Sequence, residues 1–165
     1  MHFELVQRYT SPVADVEAAF IDSTLLARLG ELPEMGRPQL LEQSTDGDVV
    51  HQRVRYAFSG HLAPGVTAVV DPDRLTWVQD SVLDRRTHRT EFTILPDHYP
   101  DRLRSSGSVD LEESDGGTAR VTSAELRVRF PLVAARVERA IVQGLRDHSA
   151  AEARFVQAWL DGRRA

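Results

Sequence analysis

The chain has 165 residues, of which 41% are hydrophobic and 27% charged, with a net charge of −5. That is one domain's worth of sequence, long enough to bury a core and outside the disordered, collagenous and disulfide-rich classes. There is no Cys, which excludes disulfides, thiolate metal sites and cysteine nucleophiles. All 20 basic residues are Arg, which excludes Schiff-base lysine chemistry and a phosphate-loop lysine. These Arg residues are scattered among carboxylates and form no basic face, so the composition argues against a nucleic-acid partner. The opening Met1-His2-Phe3-Glu4-Leu5 lacks the basic and apolar regions of a signal peptide, and no apolar run has the length of a membrane span. The expectation is a soluble cytoplasmic protein; oligomeric state is left open.

In chain order, residues 2–10 read as a strand, with Phe3, Leu5 and Tyr9 alternating against Glu4 and Arg8. Ser11-Pro12 then reads as a helix start, with Ser as N-cap and Pro in the first turn. Val13, Val16, Ala19 and Phe20 follow at helical spacing. Asp22-Ser23 interrupts, and a second short helix is expected from Thr24 to about Glu31. Beyond it the period changes to two. Residues 39–45 and 48–59 form a hairpin about Asp46-Gly47. Its second arm puts Val50, Gln52, Val54, Tyr56 and Phe58 on one face, and His51, Arg53 and Arg55 on a solvated one.

Further strands are expected at 66–70, 74–83, 87–95, 102–112 and 118–130. In 87–95, His88, Thr90, Phe92 and Ile94 oppose Arg89 and Glu91. In 118–130, Val121 falls on one parity and Leu126, Val128 and Phe130 on the other, which a β-bulge would reconcile. Pro131 reads as the start of a helix running from Leu132 to Leu160, with Gly162 just past its end. One side of that helix carries Val133, Val137, Ile141, Gly144, Leu145, Phe155 and Trp159. The other carries Arg136, Arg139, Gln143, Arg146, Asp147, Arg154 and Asp161. His148 and Glu152, four apart, fall within the apolar stripe, and Gly144 leaves an unfilled place one turn before them.

The fold class this order implies is α+β: a curved antiparallel sheet gripping a long C-terminal helix, with a short broken helix pair after the first strand. A sheet wrapped on a long helix leaves space at its wide end, a setting for an apolar pocket. Large side chains expected to bound it are Trp77, Trp159, Phe92, Tyr56, Phe58 and Phe155. His148 and Glu152 are candidate polar anchors, or a general acid and base. As metal ligands they are only two, with no third identifiable, so neither a metal nor a cofactor is expected. His88, Gln52 and Gln7 fall on inward parities and would bind a ligand's polar end, or be satisfied by one another. No nucleophile elbow, zinc-helix motif, dinucleotide fingerprint or calcium loop is present, and no catalytic residue is assigned.

The order of elements resembles the START-like superfamily, the helix-grip fold, which includes lipid-transfer domains, the birch pollen allergen family, and polyketide cyclases and aromatases. The resemblance spans residues 1–165 as a single domain. It is carried by Phe3-Glu4-Leu5-Val6 running into Ser11-Pro12-Val13-Ala14-Asp15-Val16, and by Val128-Arg129-Phe130-Pro131-Leu132-Val133 leading to Val137-Glu138-Arg139-Ala140-Ile141. Glu152-Ala153 and Trp159-Leu160 complete it, and the close is most similar to bacterial members of unassigned function. The resemblance implies a cavity for a hydrophobic small molecule such as a lipid, sterol or polyketide. The expected function is binding for carriage or sensing. The alternatives are a cyclase or aromatase type of enzyme, and a ligand-free interaction module.

Overall fold

The computed structural model describes residues 1–32, 36–58, 67, 70–130 and 132–164. Strand β1 (His2–Tyr9) leads into helices α1 (Val13–Phe20) and α2 (Ser23–Leu29). A meander follows: β2 (Gln39–Asp46), β3 (Val49–Ala57), β4 (Thr76–Asp84), β5 (Arg89–Pro96), β6 (Leu103–Ser114) and β7 (Gly117–Val128). The chain closes on α3 (Ala134–Arg164). The strands form one antiparallel seven-stranded sheet in the order β1-β7-β6-β5-β4-β3-β2. The two short helices carry the chain from one edge to the other, and the meander returns it to pair β7 with β1. This is the expected α+β architecture.

Register defines the inner face. Gln7 lies opposite Arg120, Leu111 opposite Arg120 on the other side, Phe92 opposite Gly107 and Ser81, and Tyr56 opposite Trp77. On β7 the inward residues are therefore Thr118, Arg120, Thr122, Ala124, Leu126 and Val128. No bulge interrupts this strand, which pairs without a shift from Leu103–Val128 to Ser114–Gly117. Val121 instead sits on the outer face opposite Val6, which is itself half exposed. A lone apolar pair outside a sheet is ordinary, so the mixed phase needed no bulge. The register shift the structure does contain lies between Leu40 and Glu42 in β2.

Several local expectations are corrected by tertiary bonds. Ser11 does not cap α1, whose N-cap is Pro12 with no side-chain bond. Ser11 is fully buried; its carbonyl accepts from Thr118 Oγ1 at 2.7 Å and its hydroxyl from Gln157 Nε2 at 3.3 Å. Asp22 caps α2 by accepting from Thr24 N at 2.7 Å. The long helix starts at Ala134, because Leu132 has φ +66°, and it continues through Gly162. Pro131 and residues 66, 68 and 69 lie outside the described residues; of the other two residues of the strand expected at 66–70, Thr67 is helical and Val70 belongs to no strand. His88 is not in β5 but in the turn before it, with φ +55°. Glu138 Oε1 accepts from Val128 N at 3.0 Å, fastening the first turns of α3 to the end of β7.

The interior divides into two apolar clusters along α3. One gathers Phe3, Ala124, Leu126, Val128, Phe130, Val137 and Val142. The other gathers Tyr9, Val16, Leu25, Leu26, Leu29, Val54, Val156 and Leu160 around α1 and α2. The buried axis of α3 is thus rotated from the expected stripe toward Val142, Val156 and Leu160. This side packs on β1 and β7. Ile141, Gly144, Leu145, His148, Phe155 and Trp159 form a flank beside it. Most of the residues expected to be solvated, from Arg136 to Asp161, are exposed.

Candidate functional site

Two surfaces on the inner side of the fold are incompletely covered. One is that flank of α3. The other is the inner face of β3, β4 and β5, where Tyr56, Trp77 and Phe92 are neither buried nor exposed. Tyr56 and Trp77 stack with centroids 6.0 Å apart and planes 22° apart. Phe92, Ile141 and Leu145 border the first apolar cluster, and Tyr56, Phe155 and Trp159 border the second.

Between the clusters runs a polar seam. Gln7 on β1 is 3% exposed, yet both ends of its amide are used. Its Nε2 donates to Ser149 O at 2.8 Å and to Glu152 Oε1 at 2.9 Å, and its Oε1 accepts from Arg120 Nη1. Arg120 Nη1 lies 3.6 Å from Glu152 Oε1, and its guanidinium covers the Phe20 ring at 4.2 Å. His148 Nε2 lies 3.7 Å from Glu152 Oε2. Tyr9 packs edge-on against the same Phe20. Three elements therefore meet at one place: α3 brings His148 and Glu152, β7 brings Arg120, and β1 brings Gln7 and Tyr9.

The electrostatics follow from this geometry. Burial pushes the Glu152 carboxyl up, but the adjacent His148 ring, the Arg120 charge and the Gln7 amide outweigh it and hold the group below the ordinary carboxylate range. Burial raises the Tyr9 and Tyr56 hydroxyls, and the Glu152 charge adds to the rise, with Arg120 opposing. Both phenols stay protonated at neutral pH, so the seam holds a carboxylate and a guanidinium beside neutral hydroxyls.

Of the residues singled out from sequence, His148 and Glu152 meet inside the fold, and Ile141, Gly144, Phe155, Tyr56, Trp77 and Phe92 lie on the two flanking surfaces. His88 does not join them. Its Nδ1 is 2.7 Å from Glu17 Oε2, while Arg85 Nε donates to Glu17 Oε1 at 3.1 Å. Glu17 is 4% exposed, so this trio ties α1 to the β4–β5 turn. Gln52 turns toward β2, donating to Gln43 Oε1 at 2.9 Å. Arg53 and Arg55 lie on the outer face, paired with Asp80 at 3.3 Å and Asp97 at 3.0 Å. Arg120 and Tyr9 were missed as site residues. Parity alone would have found Arg120, a charged residue on the inward set of β7, had a bulge not been invoked.

A Cβ built on Gly144 meets nothing within 4 Å. Gly144→Ala is therefore expected to stabilise the fold by about 0.5–1 kcal/mol, because a helix-interior glycine costs backbone entropy. A lower thermal midpoint for this variant would contradict the open space. The outer sheet face carries a separate open groove of about 600 Å³, lined by Asp80, Arg89, Glu91, Ser106 and Ser108 among others. Its charges are already paired, Arg89 with Asp110 at 2.8 Å and Asp80 with Arg53, so it asks for no ligand. Among the described residues no group of three His, Asp or Glu side chains could hold a metal ion, and no helix is long and apolar enough to cross a membrane.

An unclosed antiparallel sheet around a long terminal helix, with short helices after the first strand, is the helix-grip fold. The chain belongs to the family described as "Protein of unknown function (DUF2505)", whose model matches residues 4–160. No curated protein matches it in sequence. Among solved structures, TTHA0849 from Thermus thermophilus is similar with a TM-score of 0.71 at 13% identity, covering 100% of both chains. The Zhui aromatase/cyclase from a Streptomyces species gives 0.71 at 16% identity, covering 100% of this chain and 96% of its own. A norcoclaurine synthase point mutant from Thalictrum flavum, in complex with a transition-state analogue, gives 0.63 at 16% identity over 100% and 95%. At these identities the likeness is one of fold.

Proposed function

We propose that this protein binds a hydrophobic small molecule between the inner face of its sheet and α3, for carriage or sensing. The observation that carries the reading is the pair of incompletely covered apolar surfaces, Tyr56, Trp77 and Phe92 on the strands and Ile141, Phe155 and Trp159 on the helix. A folded chain gains by covering such surface, at about 25 cal/mol per Å² before ordering costs, and an apolar ligand supplies the cover. The similarity to an aromatase/cyclase and to an enzyme holding a transition-state analogue supports it.

The test is uptake of a neutral apolar fluorophore, N-phenylnaphthylamine, with native mass spectrometry of the untreated protein for a co-purifying molecule. Saturable uptake, abolished by Ile141→Trp, is the expected result. A chain that takes up no probe and carries no adduct is an interaction module and not a container.

A second reading is an enzyme of cyclase or aromatase type. The favouring observation is that Glu152 stands behind the Nε2 of His148, the arrangement that orients an imidazole for proton transfer. Under that reading His148→Ala abolishes turnover of a polyketone while leaving its binding nearly intact. Equal loss of both makes His148 an anchor.

A further inference from the structure

The polar seam contains two groups that its own network leaves idle. Tyr9 is 4% exposed and its hydroxyl has no hydrogen-bond partner. The Nδ1 of His148 is likewise buried without one. The other polar groups of the seam are engaged. Gln7 uses both ends of its amide, Glu152 Oε1 takes Gln7 and faces Arg120, and Glu152 Oε2 faces His148 Nε2. Buried polar atoms are almost always paired, and each exception calls for a physical reason.

We propose that the ligand presents a neutral oxygen-bearing end, a hydroxyl or carbonyl as in an alcohol, phenol or ketone, to Tyr9 Oη and His148 Nδ1, and that carboxylates and amines are rejected. The inference rests on the binding function proposed above and names the class of ligand it serves.

The argument is one of charge balance. Arg120 and Glu152 stand 3.6 Å apart and neutralise each other. An incoming carboxylate would lose its hydration shell and meet Glu152, while the one guanidinium in the seam is already shared with Gln7, Glu152 and the Phe20 ring. An incoming ammonium would meet Arg120 and find Glu152 already occupied. Neither desolvated ion gains a free counter-charge, the condition under which burying a charge is unfavourable. A neutral oxygen has no such cost. A phenolic hydroxyl donates to a carbonyl or accepts from a hydroxyl, and an imidazole whose Nε2–H faces a carboxylate offers Nδ1 as an acceptor.

The test compares naphthol, naphthoate, naphthylmethylamine and naphthalene itself by equilibrium dialysis near neutral pH, where the acid and the amine are ionised. Naphthol is expected to bind about 10-fold more tightly than the other three, the size of one buried hydrogen bond. Tyr9→Phe is expected to bring naphthol down to the affinity of naphthalene, and to unfold no earlier than the parent chain because the hydroxyl it removes has no partner. Naphthoate or the amine binding as well as naphthol overturns the inference, as does a Tyr9→Phe chain that keeps the preference. Equal retention of all four overturns the polar selectivity and leaves the container standing. Retention of none, naphthalene included, overturns the container as well.

Discussion

Arg120→Leu is expected to destabilise the fold by about 3–5 kcal/mol, the loss seen when one partner of a buried ion pair is removed. The two side chains are 19% and 16% exposed, which places the effect toward the lower figure. The substitution leaves Glu152 facing Tyr9 and Tyr56 without the guanidinium fixed beside it. The double variant Arg120→Leu, Glu152→Leu is expected to recover most of the loss, because the desolvation cost disappears with the carboxylate. Urea unfolding of the parent, both single variants and the double variant measures this coupling.

The pH dependence has a definite sign. In the parent, Glu152 titrates below the ordinary 4.5, so its contribution to stability is present above that value and is lost as pH falls through the depressed one. Without Arg120 the burial that pushes the carboxyl up gains weight, and the variant loses its advantage on the alkaline side. Unfolding midpoints at about pH 3 and pH 7 should therefore converge in the variant. A parent and variant with parallel pH profiles would show that Arg120 does not hold the carboxylate.

Gly107→Ala is expected to cost about 3 kcal/mol, at the upper end for overpacking a closed site. A Cβ there would stand 2.3 Å from Ser123 O and 2.7 Å from the Cα and Cβ of Ala124. These are strand atoms held by the β6–β7 ladder, and they cannot step aside as a side-chain tip can. The glycine lets β6 and β7 approach where the sheet coils, and it lies across from Phe92 on β5. Loss of probe uptake is expected to accompany the loss of stability, because moving β6 displaces Phe92. Gly144→Ala is the control: the same chemical change in open space, with the opposite sign.

The elements were readable because their periods differ. Two-residue alternation marked β1, β3 and β5, and a long run at helical spacing marked α3. The same periodicity brought His148 and Glu152 to one side of α3, since residues four apart share a helix face. Turn chemistry was less secure. Ser11 reads locally as a cap, but Thr118 and Gln157, more than a hundred residues away in sequence, claim its carbonyl and hydroxyl. His88 fits the alternation of β5, yet it sits in the preceding turn and pairs with Glu17 on α1.

Sequence alone determined the alternating character of β1, β3 and β5, the sharing of one side of α3 by His148 and Glu152 and the apolar character of both walls, because each follows from spacing within one element. Tertiary structure alone decided which side of α3 is buried, that Arg120 on β7 and Gln7 on β1 complete the seam, and that His88 stands outside it. Those outcomes depend on register across the sheet and on how the helix is rotated against it. Both are set by contacts between residues far apart in the chain, and local periodicity holds no record of them.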